Sequence, residues 1–292
     1  MRRSAPHTLS ALRPRNRAGL LTLPDQNRDT HMRRILSTLR AFIPNGITLL
    51  NLLSGCTAIV FALKPGATQP YLPVLCIFAG ALFDFFDGFT ARLLRVQSPL
   101  GVQLDSLADL ITFGLAPSIL YVQLQFRLLE NTGSYDTMPI PLAYEVALFP
   151  LLLAAFSAYR LGKFNIDTRQ TSHFLGLATP ASALFTCGLT LAVSAPQPAG
   201  PFACIAMCPY SLLPIVLVQG ILLVSEIPMF SLKIKQFTLG ALLPHIVFIV
   251  LAIPSVILLG WGGLALAIIE YVLVSIAFRK RIVHSPHAGL PQ

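Results

Sequence analysis

The sequence predicts an all-α polytopic membrane protein, and three observations lead there. The 292-residue chain is 54% hydrophobic and only 11% charged, whereas a soluble domain averages about 25% charged residues. Its apolar residues fall into runs of about twenty, the length that crosses a hydrocarbon core. Its positive charges alternate between rich and poor connections, as cytoplasmic and external loops do.

Taken in order, residues 1–40 hold nine arginines and two aspartates, which supply +7 of the net +9. The basic charge therefore marks one arm and not a nucleic-acid-binding surface. It suits a disordered cytoplasmic arm beside anionic headgroups. No apolar h-region precedes Ile43, so Arg2-Arg3 does not read as a twin-arginine signal. The arginine-rich arm also has the composition of a transit peptide, and Met32 opens a short basic leader that reads as an alternative start. Residues 41–281 read as the membrane domain and 282–292 as a cytoplasmic tail.

Eight spans are expected: Ile43–Leu63, Tyr71–Leu94, Leu100–Phe126, Leu142–Leu161, Leu175–Val193, Leu212–Phe230, Phe237–Leu259 and Trp261–Phe278. The last two should form a tight hairpin at Gly260–Gly263. With the N-terminus in the cytoplasm, 19 of the 21 Lys and Arg residues fall inside, and only Lys64 and Arg127 fall outside. That split puts both termini in the cytoplasm. Cys56, Cys76 and Cys187 lie in apolar runs and read as small core residues. Cys204 and Cys208 fall in an external loop, where a disulfide can form. No Cys/His spacing suggests zinc.

Against this apolar background, four carboxylates stand within 26 residues: Asp84, Asp87, Asp105 and Asp109. Each costs roughly 2.5–3.5 kcal/mol at the centre of a lone spanning helix, so their clustering calls for a use. Oxygen ligands in a group suit a hard divalent cation. Asp84, Asp87, Gly88 and Ala91 are spaced i, i+3, i+4, i+7 and share one helix face. Gly101, Asp105 and Asp109 are spaced i, i+4, i+8 and share another. Ser98-Pro99 is a helix start, with Ser as N-cap and Pro at the first helical position. The short connection makes the two helices antiparallel neighbours, so the carboxylates converge beside residues with almost no side chain. Arg92 lies one turn nearer the cytoplasm and suits a phosphate fork. Two metal ions ~3.5–4 Å apart clamp the oxygens of a displacement at phosphorus, which this geometry fits. An acidic ion or proton path is the alternative reading of intramembrane carboxylates.

The pattern D-x2-D-G-x2-A-R-x8-G-x3-D-x3-D resembles the signature of the CDP-alcohol phosphatidyltransferase family at all eight fixed positions: Asp84, Asp87, Gly88, Ala91, Arg92, Gly101, Asp105 and Asp109. The resemblance implies that the first three aspartates bind metal, Mn²⁺ or Mg²⁺ and two ions per site. It implies that Asp109 contacts the second metal and acts as general base on an acceptor hydroxyl. It implies a CDP pocket shaped by Gly88, Ala91, Arg92 and Gly101. The blocks IPNGITLLNLLSG and RLGKFNIDTRQTSHFLGLATPASALF are similar to the serine-accepting bacterial branch of the family. They imply CDP-diacylglycerol and L-serine as substrates, a homodimer, and an inner-membrane enzyme whose active site faces the cytoplasm. Gly162-Lys163 departs from the Ala and Arg expected there. The same chemistry with glycerol-3-phosphate, inositol phosphate or choline is the alternative.

Several residues have both a functional and a bland reading. Asn45 and Thr48 either line the nucleotide pocket or bond neighbouring helices, and Asn51 reads as packing. Arg160 could hold an acceptor carboxylate or a phosphate, and Asn165 could read an amino acid's polar groups. Arg169 joins them as an acceptor-site candidate, although it and Lys163 serve equally as positive-inside charges. His173 and His245 read as packing or solvated residues. Glu226 and Glu270 sit in apolar runs without a nameable partner.

Overall fold

The computed structural model describes residues 26–64, 70–96, 98–166, 174–198, 200–230 and 239–279, apart from the side chains of 26–41, 135 and 239–241. The elements are α1 (Gln26–Ala62), α2 (Tyr71–Leu93), α3 (Pro99–Asp109), a π-helical turn (Leu110–Leu115), α4 (Ala116–Asn131), α5 (Ser134–Thr137) and α6 (Ile140–Leu148). There follow a 3₁₀ turn (Phe149–Leu151), α7 (Leu152–Ile166), β1 (Phe174–Leu175), α8 (Thr179–Val193), α9 (Pro201–Met207), α10 (Leu212–Val224), β2 (Pro228–Met229), α11 (Leu239–Leu259) and α12 (Trp261–Ala277). The chain is a helical, polytopic membrane protein, as its composition requires.

Five helical stretches are long and apolar enough to cross a membrane: Phe42–Ala62, Tyr71–Leu93, Pro99–Asn131, Ile140–Ile166 and Leu242–Leu259. The apolar α8 and α12 are shorter, and α9 with α10 forms a pair bent by 117°. Each expected span has a helical counterpart, but the boundaries differ for physical reasons. The third runs on to Asn131 because the π turn carries the backbone through without a break. Its 33 residues reach about 50 Å at 1.5 Å per residue, well beyond a hydrocarbon core of about 30 Å. α8 starts only at Thr179, because Phe174–Leu175 pairs antiparallel with Pro228–Met229 and Gly176 turns the chain at φ +73°. That same pairing ends α10 at Val224. α1 begins at Gln26, so helix reaches into the second half of the basic arm, while residues 1–25 lie outside the described residues.

Packing explains how the elements are held. α1 lies along α2, while α3 and the π turn lie against α1. Ala58, Ile77, Phe113, Leu120 and Cys187 fill the centre between them, each almost wholly buried. Close approach depends on small residues. A Cβ on Gly55 would lie 2.5 Å from Thr112 Oγ1 and 2.7 Å from its Cα. Thr112 of the π turn therefore sits directly against the α1 backbone. α7 packs on the π turn and on α10, and α8 packs on α12. Gln219 ties α10 to α8, donating to Ser182 Oγ at 2.6 Å and to Thr186 Oγ1 at 3.0 Å. Cys204 and Cys208, where a disulfide can form, are both free thiols, exposed, on α9 and at its end. Glu226 and Glu270 have partners that sequence could not name, Lys163 Nζ at 2.8 Å and Ser255 Oγ at 2.6 Å.

Candidate active site

α2 runs toward its C-terminus with Asp84, Asp87, Gly88 and Ala91 on one face, and α3 returns from Ser98-Pro99 beside it. The Ser98 hydroxyl accepts from Gly101 N at 2.9 Å, so the expected N-cap is formed. Between the two helices and the middle of α1 lies a cavity of about 710 Å³. Asn45, Thr48, Asp84, Asp87, Gly88, Ala91, Arg92, Gly101 and Asp105 all line it. The structure thus gathers on one surface the residues that sequence spacing had placed on three separate helices. A Cβ on Gly88 would meet nothing within 4 Å, so that wall is open backbone.

Asp84, Asp105 and Asp109 each offer an oxygen within 4.8 Å of the others'. Asp87 stands apart from that trio and lines the same cavity. It is 5% exposed, and the Thr48 hydroxyl donates to its Oδ2 at 2.5 Å. Asp109 sits deeper, at the junction with the π turn, and accepts from Asn51 Nδ2 at 3.1 Å. Three converging carboxylates repel one another, and folding alone gives no reason to keep them together. The donor set is all oxygen, and Asp105 Oδ1 is buried without a hydrogen-bond partner among the described residues. Both features fit a hard divalent cation bound by carboxylates.

The expected acceptor residues are distributed less simply. Arg160 is buried, and its Nη1 donates to Thr179 Oγ1 at 3.4 Å while Nε has no hydrogen-bond partner among the described residues. Its guanidinium carbon lies 5.9 Å from the centre of the Phe164 ring. Phe164 also lines the carboxylate cavity, so a single ring separates that cavity from Arg160. Asn165 is exposed and pairs with Ser106, its Nδ2 donating to Ser106 Oγ at 2.9 Å, which ties the end of α7 to α3. Lys163 is engaged by Glu226. Arg169 and His173 lie outside the described residues.

Sequence reasoning missed Thr112 and the partner of Asn51. Asn51 reads as packing at three-residue spacing from Thr48, and it is fully buried, with its amide bonded to Asp109 of the neighbouring helix. Thr112 donates to the Asn51 carbonyl at 2.9 Å. Its only sequence signal is its place three residues after Asp109, on the same helix face.

Comparison with known proteins agrees with this geometry. Residues 41–269 match the family model of the CDP-alcohol phosphatidyltransferases. The chain is 35% identical over 143 residues to a CDP-diacylglycerol–serine O-phosphatidyltransferase of Bacillus subtilis, covering 49% of this chain and 72% of that one. A Mycobacterium leprae protein of the same name is 29% identical over 259 residues, covering 84% and 74%. One from Helicobacter pylori is 32% identical over 146 residues, covering 48% and 54%. The match runs through the cavity-forming helices and most of those that follow, and the chain belongs to the CDP-alcohol phosphatidyltransferase family.

Proposed function

We propose that the protein transfers the phosphatidyl group from CDP-diacylglycerol to the hydroxyl of L-serine, giving phosphatidylserine and CMP. The observation that carries this reading is the cavity in which every residue of the signature except Asp109 lines one wall, with Asp109 just beneath. The names of the relatives support serine as the acceptor.

Asp84, Asp87, Asp105 and Asp109 would hold the divalent cations, Mn²⁺ or Mg²⁺ and two per site, with Thr48 orienting Asp87. Bound there, the ions supply charge neutralisation of the pyrophosphate and of the CMP that departs. Gly88, Ala91 and Gly101 leave room for the nucleotide, with Asn45 and Thr48 on the facing wall and Arg92 at its mouth. Asp109 accepts the proton of the serine hydroxyl as its oxygen forms a bond to the phosphorus next to diacylglycerol. The bond from that phosphorus to the CMP oxygen breaks, and CMP leaves. A carboxylate is an adequate base only when proton transfer is coupled to attack. Positioning and electrostatics therefore carry most of the acceleration. Arg160, Asn165 and Arg169 are proposed to hold the carboxylate and polar groups of serine.

The domain would lie in the bacterial inner membrane as eight spans with both termini in the cytoplasm, and it would act as a homodimer. The 19-to-2 division of positive charges supports that orientation, and a site open to the cytoplasm matches where nucleotides are found. The test is product identity: mass spectrometry of lipid formed from CDP-diacylglycerol with isotope-labelled serine, glycerol-3-phosphate, inositol phosphate or choline. Labelled phosphatidylserine is expected. Label carried into lipid only from another alcohol would reject serine and keep the transfer chemistry.

A further inference from the structure

Asn51 sits beneath the cavity and does not line it. It is wholly buried on α1, one turn after Thr48, and its Nδ2 donates to Asp109 Oδ1 at 3.1 Å. Against the ionised carboxylate that a general base requires, only the NH₂ end of an amide can donate. The other end, Asn51 Oδ1, is buried with no hydrogen-bond partner among the described residues. A residue present only for packing would not leave a buried polar atom unsatisfied, because that costs stability. Room for the amide is made by α2: a Cβ on Gly80 would lie 3.0 Å from Asn51 Oδ1 and 2.4 Å from Thr112 Cγ2. The backbone is pinned as well, since Thr112 donates to the Asn51 carbonyl at 2.9 Å. The π turn that begins at Leu110 brings Thr112 there, and such turns inside helices accompany functional sites.

We infer that Asn51 is a positioning residue for the transfer reaction: its amide holds Asp109 by Oδ1, fixing the carboxylate plane and presenting Oδ2 to the acceptor hydroxyl. This rests on the reading of Asp109 as the base. Asn51 touches neither substrate, so its loss should slow turnover and leave the binding of CDP-diacylglycerol alone.

The test is steady-state CMP release by the full chain in detergent, with CDP-diacylglycerol varied at saturating serine and Mn²⁺. Asn51→Leu keeps the branched shape and heavy-atom count, though not the volume, and removes the donor. A hydrogen bond to a charged group corresponds to a roughly tenfold to hundredfold fall in kcat, with KM for CDP-diacylglycerol within about threefold of the unsubstituted protein. A kcat within about threefold, or a loss that appears mainly as a raised KM, would overturn the inference. Should Asn51→Leu fail to fold, Asn51→Ala is judged by the same two ratios. If the unsubstituted protein prefers another alcohol, the serine reading fails, and the ratios measured with that alcohol still decide the role of Asn51.

Discussion

Replacing Asp105 by asparagine should have effects of opposite sign with and without metal. The oxygens of Asp84, Asp105 and Asp109 all lie within 4.8 Å of one another. At an effective dielectric constant of about 20, each charged pair at that distance repels by ~3.5 kcal/mol. A proton shared within the cluster relieves much of this, so Asp105→Asn should stabilise the metal-free protein by about 1–3 kcal/mol. At ~2–4 °C per kcal/mol for a chain of this size, the melting temperature in chelator should rise by several degrees. With Mn²⁺ the order should reverse. A ligand at a thousand times its Kd adds ~4.1 kcal/mol to the unsubstituted protein, and Asp105→Asn, lacking a ligand charge, should gain little. The assay is thermal unfolding in detergent, run in parallel with chelator and with Mn²⁺. A melting temperature that falls in chelator, or an equal Mn²⁺ response in both proteins, would refute the metal-cluster reasoning.

Four further outcomes are expected. Gly55→Ala drives a Cβ to 2.7 Å from the Thr112 backbone, where no rotamer change relieves it. Overpacking of about 1–3 kcal/mol, offset by ~1 kcal/mol of helix propensity, should lower the melting temperature by a few degrees. Gly46→Ala, whose Cβ meets nothing within 4 Å, should match or slightly exceed the unsubstituted protein in the same scan. Thr48→Val keeps the shape and removes the donor to Asp87, so kcat/KM in the CMP assay should fall by roughly tenfold or more. Cys204 and Cys208 should both react with maleimide without prior reduction, read as added mass, and serine at both positions should leave the melting temperature within about 1 °C.

The carboxylate site was legible because helical spacing is arithmetic: i, i+3 and i+4 separations put Asp84, Asp87 and Gly88 on one face whatever surrounds them. Ser98-Pro99 likewise announced the start of α3 by local chemistry alone. The π turn was not legible, since LITFGL carries no local signal for a widened helix, and with it went the placement of Thr112 and the role of Asn51. Those depend on contacts between α1 and the π turn, 61 positions apart in sequence. Hydropathy located the apolar segments. It could not show that β1 and β2 would cap α8 and α10, because a two-residue pairing leaves no periodicity to read. Arg160 was legible as an acceptor-site candidate, but its burial and the Phe164 ring beside it are tertiary facts.

The most direct test of the proposed reaction is CMP release by purified protein supplied with CDP-diacylglycerol and Mn²⁺, with and without serine, beside Asp109→Asn. Phosphatidyl transfer requires serine-dependent CMP that disappears with chelator and in Asp109→Asn. Serine-dependent release that persists in folded Asp109→Asn would contradict the role given to that carboxylate. No CMP from the folded, metal-binding protein with any acceptor would contradict the transfer reading itself.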